Sequence, residues 1–107
     1  MVSGCTGRSC NDAAALGVVV FVADRVTGQD VCSATVTVTD GAYAETLQMR
    51  SGGDGHTCEY VGATERPGTY TVSVTAAGYQ PAQEDNAVAQ AGTCHVQTAT
   101  VTTTLAH

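Results

Sequence analysis

At 107 residues the chain has the length of one domain, and a domain of that size buries only about two-thirds of the surface its unfolded chain exposes. Apolar residues make up 43%, but Ala and Val dominate them, with one Phe, no Trp and no Ile, so a thin core needs reinforcement from elsewhere. A net charge of −6, with Arg8, Arg25, Arg50 and Arg66 as the only fixed cations, excludes electrostatic binding to nucleic acid or to an anionic lipid surface, and no apolar run approaches the roughly 20 residues of a membrane-spanning helix.

The chain opens on Val2-Ser3-Gly4-Cys5, which resembles the lipobox at which bacterial lipoprotein signal peptides are cut. That match implies Cys5 as a lipidated residue, with Met1 an added start before a trimmed processing site. Thr6 to Ala15 is small and polar, so residues 1–15 read as a flexible tether and residues 16–107 as the folded domain. Gly17 to Ala23 is apolar on both alternating faces, as in an interior strand. Asp24-Arg25-Val26-Thr27-Gly28-Gln29 follows as a turn.

Cys32 to Thr39 alternates strictly, placing Cys32, Ala34, Val36 and Val38 on the core side. Asp40-Gly41 marks a hairpin, and Tyr43 to Met49 returns as one strand, whose inward-parity Glu45 points to an edge position. Ser51 to Gly55 is a loop; its single carboxylate, Asp54, is too few oxygens for a calcium cage. Thr57 to Val61 is a short strand. Thr69 to Ala76, started by Pro67-Gly68 and stopped by Gly78, has the clearest alternation of all, with Tyr70, Val72 and Val74 inward. Only Pro81 to Asp85 leaves room for a helical turn. Asn86 to Ala89 reads as a brief strand, and Cys94 to Leu105 as a long one whose drifting parity predicts a bulge near Thr98. Seven short strands between turns predict an all-β, Ig-like sandwich.

Five cysteines in a small, lysine-free chain point to an oxidising compartment, where each bridge adds about 2–4 kcal/mol. No Cys-x-x-Cys pair occurs, and His56, His95 and His107 are scattered, so no metal site and no cofactor are expected. The order Val26-Thr27-Gly28, then Ala34 to Gly41, then Asp54-Gly55, then Pro67-Gly68-Thr69-Tyr70-Thr71-Val72 ending at Ala77-Gly78-Tyr79 resembles the carboxypeptidase regulatory-like domains. Those domains belong with the transthyretin-like, or prealbumin-like, sandwiches, and the likeness runs from Gly17 to Leu105. Cys58-Glu59-Tyr60 and Cys94-His95-Val96 resemble a cysteine-bearing bacterial branch found in lipoproteins.

The resemblance implies a final strand parallel to the first and a short Cys58 strand antiparallel on the first strand's other side. From that order follow disulfides Cys10–Cys94 and Cys32–Cys58, with Cys5 left for lipid or free. Four cysteines allow three pairings, and a local Cys5–Cys10 bridge is the rival. Transthyretin-like hydrolases of 5-hydroxyisourate end in Tyr-Arg-Gly-Ser, whereas this chain ends Thr103-Thr104-Leu105-Ala106-His107. Carboxypeptidases keep their zinc chemistry in a separate domain.

Chemistry is sparse along the chain. Glu59, Glu65 and Arg66 lie close in sequence, but such groups are usually solvated ion pairs. His95 follows Cys94 directly, and adjacent strand residues point to opposite faces, so it is not a base for that thiol. No Gly-x-Ser-x-Gly elbow and no phosphate loop occur. The expectation is a monomeric, non-enzymatic module of the bacterial periplasm, outer membrane or secreted fraction, with an unknown protein partner and membrane contact only through a lipid on Cys5. A carbohydrate-binding module stacking sugars on Tyr43, Tyr60, Tyr70 and Tyr79 is the alternative.

Overall fold

A computed structural model describes residues 14–53 and 55–107. Every regular element among them is a strand: β1 Val18–Asp24, β2 Thr35–Asp40, β3 Tyr43–Thr46, β4 Gln48–Ser51, β5 Cys58–Gly62, β6 Gly68–Thr75, β7 Ala82–Ala91, β8 Val96–Gln97 and β9 Ala99–Leu105. They form two sheets, one of four strands in the order β4-β5-β1-β9 and one of five in the order β3-β2-β6-β7-β8. β1 pairs in parallel with β9 from Val18↔Ala99 to Asp24↔Leu105, and antiparallel with β5 from Val18↔Gly62 to Val20↔Tyr60.

β1 lies between β5 and β9, as an apolar run predicts, but only one of its two apolar faces is enclosed: Val18, Val20 and Val22 are buried while the residues between them are half-buried. On β6, Tyr70, Val72 and Val74 are enclosed. One cluster of buried side chains draws Val18, Val20, Val22, Tyr60 and Leu105 from the four-stranded sheet and Val36, Val38, Tyr70, Val72 and Val74 from the five-stranded one. A buried Val contributes about 1.5 kcal/mol or somewhat more by area, so no single contact dominates.

The described residues form nine strands rather than the expected seven, because two of the expected strands each change sheet. Tyr43 to Met49 divides at Leu47: β3 pairs with β2, β4 pairs with β5, and the buried Leu47 donates its N–H to the Val36 carbonyl (2.8 Å) between them. Cys94 to Leu105 divides at Thr98, where a bulge was expected: β8 pairs with β7 in one sheet and β9 with β1 in the other. The Thr98 hydroxyl donates to the Leu16 carbonyl (2.6 Å) at the crossing. Neither edge strand beside Leu47 has a fully buried residue, as Glu45 predicts.

Two further boundaries move. The strand expected from Cys32 begins at Thr35, since residues 30–34 carry the chain from one sheet to the other, with Asp30 bridged to Ala23 and Val31 bonded to the Val22 carbonyl (2.8 Å). Pro81 to Asp85 holds no helical turn; Ala82 onward is the ten-residue β7, because β6 offers a full antiparallel partner. Its register shifts between Tyr70 and Val72 of β6, and Asn86 takes φ 62°. The turn after β1 is held as its sequence predicts: the Asp24 carboxylate accepts from the N–H groups of Val26 and Thr27, and Gly28 takes φ 76°.

Tyr60 pins the crossing at residues 30–34. Its hydroxyl donates to the Val31 carbonyl (2.7 Å) and accepts from the Ala34 N–H (3.0 Å). Tyr60→Phe strands both backbone groups at once. We expect a loss of about 1–3 kcal/mol, read as a lower urea midpoint at unchanged slope; a loss below about 0.5 kcal/mol would show that the hydroxyl does not hold the crossing.

Candidate functional site

Cys32, inside the crossing, is joined to Cys58 at the start of β5, with Cα atoms 5.8 Å apart and a sequence separation of 26. The bridge lies beside the Tyr60 hydroxyl's two backbone partners and closes the same passage covalently. Chain-entropy reasoning gives a loop of that length about 3.5 kcal/mol. Cys94 is disulfide-bonded as well. The expectations resting on Cys10 as its partner and on Cys5 as a lipid carrier lie outside the described residues, as does Asp54 of the 51–55 loop.

All three histidines meet a carboxylate. The buried Asp24 at the end of β1 accepts from Val26 and Thr27 N–H with Oδ1, while Oδ2 accepts from the Tyr79 hydroxyl (2.8 Å) and lies 2.8 Å from His107 Nε2. These donors, the Thr27 amide first, hold its carboxyl far below the usual carboxylate range, and the same bond pushes the Tyr79 phenol up. Asp30 accepts from the Thr57 N–H and lies 3.3 Å from His56 Nδ1. The Thr57 amide is the main reason its pKa is lowered. The His56 ring stacks on Phe21, with centroids 3.9 Å apart, so the only Phe covers the outer face of β1 instead of filling the core.

Glu65 fastens the opposite end of β1. It accepts from the Ala15 N–H (2.9 Å) and the Val96 N–H (3.0 Å), and it meets His95 Nδ1. The Ala15 amide, then the Val96 amide and His95, lower its pKa from 4.5 to about 2. Glu65 itself has φ 55°, a conformation that disfavours a non-glycine residue, and its N–H donates to the Ala15 carbonyl. Ala15, the last residue assigned to the tether, is thus fastened on both its backbone groups and packs against the core.

Glu59, Glu65 and Arg66 are separated by the fold. Glu59 pairs with Arg50 across β4 and β5. Arg66 bonds to Asp40 (3.1 Å) and lies over the Tyr43 ring, 3.8 Å from its centroid. It also donates to the Tyr70 hydroxyl (3.1 Å), which in turn donates to the Arg66 carbonyl (2.6 Å). The Tyr43 hydroxyl donates to Glu45, which pushes the Tyr43 phenol up to about 12. Tyr60 and Tyr70 are enclosed, so the four tyrosines do not share a surface, and Tyr43 is covered by Arg66. Among the described residues no three His, Cys, Asp or Glu side chains gather to hold a metal, and no helix is long and apolar enough to cross a membrane.

The two lateral sides of the molecule differ. On one, Leu47 carries the chain from β3 to β4 and joins the edges of the two sheets. On the other, β7 and β9 lie alongside with a cleft of about 410 Å³ between residues 84–88 and 98–101. Glu84 reaches across it to accept from the Thr103 hydroxyl (3.1 Å). Sequence reasoning missed this cleft and all three histidine pairs; the partners stand 26, 30 and 83 residues apart, and nothing in local spacing joins them. No protein-family model matches the chain, and no curated protein matches it.

The double variant Cys32→Ser/Cys58→Ser should lose about 3.5 kcal/mol, measured by denaturant unfolding against the oxidised wild type; an unchanged midpoint would refute the bridge's role. A second expectation concerns acid. The depressed carboxyls of Asp24, Asp30 and Glu65 contribute stability that is complete above the ordinary carboxylate range and is lost as pH falls toward their folded values. Unfolding midpoints should therefore drop between pH 4.5 and about 2. Glu65→Gln should be less stable at pH 7 and show a shallower drop across that window; a parallel curve would show that Glu65 is not one of the titrating ties.

Proposed function

We propose that the chain is a non-enzymatic, extracytoplasmic β-sandwich module of the bacterial envelope or secreted fraction, with a structural or protein-interaction role. The observation that carries this reading is the oxidation of every described cysteine: Cys32, Cys58 and Cys94 are all disulfide-bonded, a state that persists outside reducing compartments. Parallel pairing of β1 with β9, antiparallel pairing of β1 with β5, and one buried cluster fed by both sheets support a transthyretin-like arrangement of the kind the carboxypeptidase regulatory-like domains have.

The carboxylates support a scaffold rather than acid–base chemistry. Asp24, Asp30 and Glu65 each take backbone N–H groups, which lowers their proton affinity and occupies their lone pairs. A general base near neutral pH needs the opposite. In this reading the module needs no metal or cofactor, and Cys5 would tether it to the outer membrane by a lipid.

The test is a pull-down from the native envelope with the folded, oxidised domain, alongside mass analysis of the mature protein. The expected result is an envelope protein retained by the oxidised domain, lost when the disulfides are reduced, and a lipid mass on Cys5. Recovery of the native protein from the cytosol with free thiols at Cys32 and Cys58 would overturn the reading. Glycan binding abolished at Tyr43 or Tyr79 would favour the carbohydrate alternative instead.

A further inference from the structure

Among the described residues, β9 pairs along one side only. In a strand the N–H and C=O of one residue point to the same side and those of the next residue to the other. Ala99 donates to the Gly17 carbonyl and the Leu105 carbonyl accepts from Arg25, so the odd-numbered residues face β1. Thr100, Thr102 and Thr104 therefore direct their N–H and C=O groups away from β1, where no strand among the described residues pairs with them.

Sheet edges are ordinarily guarded by charge, proline, a bulge or shortness. β3 and β4 are four residues each and are linked through Leu47. β7 is interrupted by its register shift with Asn86 at φ 62° and bears Glu84 and Asp85. β9 has seven residues, Ala-Thr-Val-Thr-Thr-Thr-Leu, with no charge, proline or bulge of its own, and a side-chain tie to β7 runs from Thr103 to Glu84. It is also the edge that borders the open cleft.

We propose that β9 is a docking edge for an extended, basic segment of a partner protein, which adds as a fifth strand to the four-stranded sheet and sets Lys or Arg side chains against Glu84 and Asp85. This rests on the interaction-module reading and supplies the chemistry of its partner. Main-chain bonds to Thr100, Thr102 and Thr104 give such a strand its affinity, and alternate side chains give it selectivity. Charge decides the occupant. Glu84 and Asp85 line the cleft with no cation among the other lining residues, and the chain carries −6 overall. Two copies joined β9 to β9 would set like charges together, whereas a cationic strand is attracted.

The test uses the whole oxidised chain and two peptides of roughly ten residues, one alternating Lys with Thr and the other Glu with Thr. The Lys peptide should bind and the Glu peptide should not, and amide exchange at Thr100, Thr102 and Thr104 should slow at saturation. Thr102→Pro, which removes an outward N–H, should abolish binding. Asp85→Lys, on an exposed side chain whose bond is to Gln83 and not to β9, should weaken binding severalfold. Equal binding of the two peptides, binding of neither, or slowed exchange at β3 or β4 instead would each overturn the proposal. So would concentration-dependent dimers that Thr102→Pro dissolves. An envelope partner whose retention ignores Thr102→Pro refutes the β9 edge alone, while no partner retained by the wild type refutes the interaction-module reading.

Discussion

Tyr60 and Tyr70 are the two largest side chains the interior encloses completely, and an enclosed phenol needs a partner for its hydroxyl. In a chain without Trp or Ile and with its one Phe on an outer face, these two rings supply volume that valine cannot. Their hydroxyls then dictate where the backbone runs. Tyr60 reaches the Val31 carbonyl and the Ala34 N–H, so the passage from β1 to β2 must lie where that phenol ends. Tyr70 reaches the Arg66 carbonyl, so the turn into β6 is held by the strand it introduces. Filling the core and routing the connections are one problem here, solved by the same atoms.

Polar ties at the ends of the strands extend that solution. A valine core gains modestly from each residue, and a domain's net stability is only about 5–15 kcal/mol, so loops cannot be left loose. Asp24 fixes the turn after β1 and draws in Tyr79 and His107 from the segments after β6 and β9. Glu65 gathers Ala15, His95 and Val96. Each carboxylate joins segments that are distant in sequence, and each uses backbone amides as donors. Such bonds depend on main-chain placement more than on the identity of the donor residues, which lets turn residues vary while the tie persists.

What the sequence made legible was whatever depends on a period of two. The faces of β6, the inward set Val36 and Val38, and the hairpin at Asp40-Gly41 follow from residues within one strand, whereas β1, apolar on both parities, gave no sign of which face is enclosed. Sheet changes are different. Leu47 and Thr98 sit in runs with strand composition on both sides, and composition is silent about which neighbour a strand will choose. At Thr98 the trace of the change was visible as a parity drift, but a bulge and a crossing disturb parity alike. The room left for a helical turn at Pro81 to Asp85 closes because Glu84 and Asp85 are poor strand formers in isolation and the pairing offered by β6 overrides that preference. The pairs Asp30–His56, Glu65–His95 and Asp24–His107 depend on the final packing of both sheets.

The parallel alignment of β1 with β9 has a mechanical meaning. Tension drawing Val18 toward the amino-terminal side and Leu105 toward the carboxyl-terminal side would pull the two strands lengthwise in opposite senses. Seven registers, from Val18↔Ala99 to Asp24↔Leu105, would share the load together, because the hydrogen bonds lie across the pull and must all yield at once instead of opening in succession like a zip. Stretched from those two points, the domain would then resist through β1 and β9, while its hairpins stayed unloaded.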